Sequence, residues 1–256
     1  MTPGAVAAHI KALEAEIGAP LFERRTRSIA LTVVAHRILP DFVAAFDAVG
    51  RAAQAMRTEA APQQVHVAAL PSVAQLWLSP RLPGLRRAAP DIAVSITALE
   101  APPNLKRVPF DLSLFYRPVG EGEWLADDVI FPVCAPDVAR LLRTPSDLRD
   151  VACLTDAVWA SDWSDWMRVA EPATAFVARG PVFSLYALAV AEAVNGGGVL
   201  IGHEALIGKE LESGALVAPF AARARLPRVL SVSSASKPHA GSAAQRVVTL
   251  LRSQAP

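Results

Sequence analysis

Apolar residues recur along this chain with two different periods, and the changes between them mark out its parts. From Gly4 to Ile17 they fall at Val6, Ile10, Leu13 and Ile17, at gaps of 4, 3 and 4, which draws one stripe down a helix. Gly18 stands where that helix stops, because glycine accepts the left-handed backbone of a C-terminal cap. Ala19-Pro20-Leu21 breaks the pattern. Phe22–Arg24 and Ile29–Thr32 then predict two short strands around the polar turn Arg25-Thr26-Arg27-Ser28. From Val33 to about Thr58 the helical period returns. Val34, Ile38, Phe42, Phe46, Val49, Ala53 and Met56 are spaced 4, 4, 4, 3, 4 and 3, close to a coiled-coil seam. At 1.5 Å per residue such a helix reaches about 39 Å. Pro40 inside it is expected to kink it or open one hydrogen bond. Ala60-Ala61-Pro62-Gln63-Gln64 ends it and marks the best domain boundary in the chain.

Beyond that boundary short apolar strands alternate with helices. Val65–Leu70 is a strand, and Pro71-Ser72-Val73-Ala74-Gln75 opens a helix to about Ala88, with Ser72 and Gln75 at capping-box spacing. Further strands are expected at Asp91–Leu99, Asp111–Tyr116, Val129–Cys134, Ala152–Thr155, Val199–Ile201 and Arg228–Ser234. Helices are expected at Asp162–Val169, Leu185–Val194, Glu204–Leu211 and Ser242–Arg252, with Asn195-Gly196-Gly197-Gly198 capping the second of these. Alternation at this spacing implies parallel sheets with crossover helices.

The first helix carries chemistry on its polar side. Pro3, Ala5, Ala8, His9 and Lys11 lie there; small residues let a helix sink into a DNA groove, and a few polar ones meet base edges. Arg24, Arg25 and Arg27 crowd the strand pair, where arginine suits phosphate oxygens or a narrow minor groove. On Pro3, Ala5, Val6, Ile10, Leu13, Glu14, Gly18, Leu21, Phe22, Arg24, Arg27, Leu31 and Thr32 the chain closely resembles the LysR-type transcriptional regulators. The resemblance continues at lower stringency. Trp77-Leu78-x-Pro80-Arg81-Leu82, Asp111-Leu112, Phe131-Pro132-Val133-Cys134-x-Pro136, Asp162-Trp163-x-x-Trp166 and Gly198-Val199-Leu200-Ile201-Gly202 look like the subgroup of glycine-cleavage and β-lactamase activators.

The resemblance implies α+β and α/β parts in series. Residues 1–32 would be a partial winged helix-turn-helix that binds DNA, and 33–62 a linker and dimerisation helix with a hinge. Residues 63–256 would be a two-lobed, periplasmic-binding-protein-like α/β effector domain, with lobe 1 about 63–135 and 230–256 and lobe 2 about 136–229. Dimerisation through Val34, Ile38, Phe42, Phe46, Val49 and Met56 would set two recognition helices on two half-sites. Two departures stand out. Ala7 replaces the family's usual serine, removing one hydroxyl contact to DNA. The family's chain also normally begins earlier, with two helices that brace the recognition helix, so truncation and impaired DNA binding are expected of the sequence as written.

Net charge barely changes this picture. The chain carries +1 overall, and its first sixty residues hold seven Lys/Arg against six Asp/Glu, so DNA affinity must come from local placement and pairing of copies. Hydrophobic residues make up 52% of the 256, ample for a core. Cys134 and Cys153 have no metal-site spacing and read as buried thiols, and no cofactor or metal is expected. No signal peptide or membrane-length apolar run is present, which points to the cytoplasm and away from a membrane. No phosphate loop, HExxH or nucleophile elbow appears, so an enzyme is not expected.

A small molecule is expected outside the carboxyl ends of the strands. Two helix N-termini, at Ser72-Val73 and Ser184-Leu185, would converge there and offer hydroxyls, free N–H groups and positive dipole ends to an anionic or amino-acid-like effector. Close relatives often carry arginine at the position of Phe115, and Arg117, two residues on, is a candidate replacement. Thr155, Trp159 and Tyr186 are weaker cleft candidates, while Trp163 and Trp166 read as packing and His203 as a loop or hydrogen-bonded core residue. The expected function is thus a regulator that binds promoter DNA as a homodimer or homotetramer, is controlled by a small-molecule effector and has RNA polymerase as a further partner. The alternatives are a regulator without DNA binding that acts by pairing with intact relatives, and a non-exported solute-binding-type sensor.

Overall fold

A computed structural model describes residues 2–25, 28–173 and 175–254, with the side chains of Arg24 and Arg25 excepted. The chain divides into two compact units, one up to Met56 and the other from Arg57.

The first unit begins with α1 (Pro3–Ile17), which Pro3 starts and Gly18 ends in the left-handed conformation at φ 74°. Glu14 reaches past that cap: its Oε1 accepts the N–H groups of Leu21 at 2.7 Å and Phe22 at 3.2 Å, tying helix to wing. The wing is β1 (Phe22–Arg25) against β2 (Ser28–Leu31), antiparallel, with Phe22 opposite Leu31. Thr32 Oγ1 then donates to the Pro20 carbonyl and accepts the Ala35 N–H, launching α2 (Val33–Ala60). Pro40 lies inside α2, where its missing N–H leaves the His36 carbonyl without its usual helical donor. No residue of α1 is buried; Val6, Leu13 and Ile17 of its apolar stripe are exposed.

The second unit opens with β3 (Gln64–Ala69) and a run of helical turns from Pro71. The single helix expected over 72–88 is instead π-helical over Val73–Leu78, 3-10 over Ser79–Arg81 and α-helical only over α3 (Leu82–Ala88). Pro80 and Pro83 explain this, since neither can donate the N–H that would carry one α-helical register through. The capping box also fails to form. Pro71 starts the helix one residue early, so Ser72 sits within it at φ −61°, ψ −42°, and its side chain caps nothing.

The remaining elements are β4 (Ala93–Ala98), β5 (Leu112–Pro118), β6 (Glu123–Val133), α4 (Pro136–Ala139), β7 (Cys153–Asp156), α5 (Asp162–Ala170), β8 (Val182–Phe183), α6 (Tyr186–Val194), β9 (Val199–His203), α7 (Glu204–Glu212), β10 (Ala224–Ser233) and α8 (Ala243–Ser253). The strands form one eight-stranded sheet in the order β4-β3-β5-β10-β6-β9-β7-β8. The parallel pairing implied by the strand–helix alternation is found in the outer parts of the sheet. β4, β3 and β5 run parallel, as do β9, β7 and β8, whereas β5–β10, β10–β6 and β6–β9 are antiparallel. Two lobes, each a parallel half-sheet with its helices, are thus joined by two long crossing strands, β6 and β10. β6 begins at Glu123, well before the expected Val129. Trp77, Trp166 and Phe131 are the largest fully buried side chains. Trp163 and Trp166 donate to the carbonyls of Leu154 at 3.0 Å and Ala222 at 3.1 Å, so both are packed and satisfied.

Gly198 fixes how the β7 side of the sheet closes. At φ 153° a Cβ there would stand 2.3 Å from the Ala152 carbonyl oxygen, which accepts the Val199 N–H at 2.8 Å. Gly198→Ala is expected to destabilise this unit by on the order of 1–3 kcal/mol. Thermal unfolding checks it, and an unchanged midpoint would refute the close approach.

Candidate functional site

Two parallel strand pairs, β3 with β4 and β7 with β8, end around one cleft. After β3 come Leu70, Pro71 and Ser72; beyond β4 lies Glu100; β7 ends in Asp156, followed by Val158 and Trp159; β8 leads to Ser184, Leu185 and Tyr186. These ten residues line about 240 Å³ of empty space, part of it open to solvent. The placement obeys the general rule for open α/β sheets, in which chain turns at carboxyl ends leave a crevice. Ser72 is the notable wall: it is buried, and its hydroxyl has no hydrogen-bond partner. A buried hydroxyl left unpaired costs on the order of 1–3 kcal/mol, which an occupant offering a donor or acceptor recovers.

The other side of the cleft is aromatic and acidic. Trp159 meets Tyr186 edge-on at 4.8 Å between ring centroids. The Tyr186 hydroxyl is already engaged, donating to the Ile201 carbonyl and accepting the His203 N–H, both at 3.0 Å, so Tyr186 offers the cleft its ring. Burial pushes the Asp156 carboxyl above its ordinary range, against the N–H groups of Val158 and Trp159 that stabilise its charge.

Directly behind Trp159 lies a buried ionic cluster. His203 is fully buried, 3.9 Å from Trp159 between ring centroids. Its Nδ1 meets Asp128 at 2.6 Å and its Nε2 meets Asp162 at 2.9 Å. Arg228 Nε donates to the other oxygen of Asp128 at 2.6 Å, and its guanidinium reaches Asp162 at 3.4 Å. Burial alone would lower the imidazole's pKa; the two carboxylates outweigh it and raise it to about 9. Asp128 shows the converse balance, with burial overcome by His203 and Arg228 so that its carboxyl lies below the usual value. The expected hydrogen-bonded core histidine is therefore present, as an imidazolium clamped between β6, β9, α5 and β10.

The structure gathers some of the expected cleft residues and disperses others. Ser72, Ser184, Leu185 and Tyr186 share the cleft. Val73 is instead fully buried in the core. Thr155 lines a separate small cavity that shares Asp156, Trp159 and Tyr186 with the cleft. Arg117, near the end of β5, lines a different depression with Lys106 and Glu121. Glu100 and Asp156 went unnoticed in the sequence, although Asp156, as the last residue of β7, occupies the strand position from which ligands are usually met.

On the first unit, Pro3, Ala8, His9 and Lys11 are exposed along α1, and Ala5 is half-buried. Arg24 and Arg25 lie in β1, and Arg27 falls outside the described residues. On α2, Val34, Phe42, Phe46, Val49 and Met56 are exposed and Ile38 is half-buried.

Comparison with known proteins agrees with this anatomy. The LysR substrate binding domain matches residues 59–256, and the lysR family of bacterial regulatory helix-turn-helix proteins matches residues 1–36. The glycine cleavage system transcriptional activator of Escherichia coli (strain K12) is 33% identical over 230 residues, covering 86% of this chain and 74% of the relative. The effector domain of the transcriptional regulator AmpR of Pseudomonas aeruginosa superposes with a TM-score of 0.63 at 21% identity, over 74% of this chain and 94% of that one. CrgA, a LysR-type regulator from Neisseria meningitidis, gives a TM-score of 0.61 at 17% identity, over 99% of this chain and 90% of that one.

Proposed function

The chain belongs to the LysR family of bacterial transcriptional regulators, which are not enzymes, and from that premise we propose how its parts divide the work. α1 and the wing meet promoter DNA in the cytoplasm. Small residues on α1 allow close approach to the major groove, with His9 and Lys11 at base edges or phosphates. α2 pairs two copies through its exposed apolar stripe, and a further pairing of dimers gives a tetramer. RNA polymerase meets the assembled complex. The cleft between the lobes takes a small-molecule effector, whose differential contacts with open and closed lobes shift the spacing of the recognition helices.

One observation carries the effector reading: four strand ends converge on a crevice where the buried Ser72 hydroxyl has no partner. Ser184 lines the cleft and is exposed, outside the core. A thermal-shift screen of small carboxylates and amino acids identifies binders of the wild-type chain. Ser184→Trp, which fills the crevice, is expected to abolish every such shift while leaving the unliganded midpoint within about 1 °C. Binders that shift the variant as much as the wild type would remove the cleft from the mechanism.

A further inference from the structure

We infer that the effector carries a protonated amino group, held between the carboxylates of Glu100 and Asp156 against the rings of Trp159 and Tyr186. This rests on the cleft being the effector site, as proposed above, and narrows what enters it. Two carboxylates line the cleft, and no lysine, arginine or histidine does. Among the described residues neither carboxylate has an ion-pair partner. The cations behind Trp159 are already committed: His203 and Arg228 face Asp128 and Asp162, two positive charges against two negative ones. The cluster behind the cleft therefore lends no spare positive charge to its wall.

A ligand bearing only a carboxylate would bring a like charge beside Asp156, whose own charge burial already penalises. An ammonium reverses both costs and gains the ring faces of Trp159 and Tyr186. The same lining holds the buried, unpartnered hydroxyl of Ser72, which an acceptor group on the ligand would satisfy. The occupant is therefore a small molecule with an ammonium and an acceptor, such as a carboxylate.

Isothermal titration calorimetry on the full chain tests this with glycine, L-alanine and L-leucine, each also as its amide and its N-acetyl derivative. The amide keeps the ammonium and loses the carboxylate; the N-acetyl form does the reverse. At least one amino acid and its amide are expected to bind, with its N-acetyl derivative silent. Glu100→Gln, a substitution at an exposed position, is expected to weaken the amide about tenfold. N-acetyl derivatives that bind as tightly as the free amino acids, and lose binding in Ser184→Trp, would keep the cleft as the effector site and overturn the ammonium. Amides that bind Ser184→Trp as well as wild type would overturn both. Silence from every ammonium probe at millimolar concentration would overturn the inference as well.

Discussion

His203→Leu is expected to destabilise the effector unit by about 3–5 kcal/mol. Removing the imidazolium leaves Asp128 and Asp162 buried with Arg228 as their remaining counter-charge. An uncompensated buried carboxylate costs far more than the ion pair contributed, because the desolvation is no longer offset. For a unit of this size the midpoint of thermal unfolding falls by about 6–20 °C. The pH dependence gives an independent readout. The folded-state pKa of about 9 lies above the ordinary 6.5, so the stabilisation is complete below about pH 6.5 and is lost as pH rises through about 9. Asp128, held below its ordinary pKa, contributes with the opposite sign and loses its share in acid. The wild-type midpoint should therefore decline between neutral pH and about pH 9, and His203→Leu should lack that decline. A wild-type midpoint flat over this range would mean that His203 is not an imidazolium.

The same cluster shows why part of the site escapes a linear reading. Gly18, Gly196 and Gly198 announce chain breaks at their own positions, and the strict periods of α1 and β3 announce faces, so those elements can be read locally. The first half of β6, Glu123-Trp124-Leu125-Ala126-Asp127-Asp128, looks like a polar loop. Its aspartates become strand residues because Asp127 finds Arg225 and Asp128 finds His203 and Arg228, partners 98, 75 and 100 residues away. Nothing near Asp128 in the sequence signals them. Ser72 errs in the other direction. Its capping-box spacing is a genuine local signal, overridden by Pro71 one residue earlier, which leaves a buried hydroxyl without a partner in a residue that lines the cleft.

The double substitution Phe42→Glu/Phe46→Glu is expected to convert the proposed dimer into monomers at micromolar concentration. The apolar stripe of α2 is exposed where it matters, with Phe46 at 61%, Val49 at 66% and Met56 at 73%. A helix carrying such a stripe over this length buries it against something, and coiled-coil-like spacing suits a second copy of the same helix. Pro40 bends or loosens the helix, so the positions most useful for pairing lie on one side of it, from Phe42 to Met56. Phe42 and Phe46 are 46% and 61% exposed, so both still have ring surface to bury against a partner, where a glutamate would have to bury a charge instead. Four glutamates facing one another across the seam add repulsion. Analytical ultracentrifugation reads the mass directly. DNA affinity should fall with it, because each half-site then binds a separate chain and the gain from joined binding is lost, a factor of about 10²–10⁴. A variant that keeps the wild-type mass would place the dimer contact elsewhere, whereas a monomer with undiminished operator affinity would show that pairing through α2 does not set the two recognition helices.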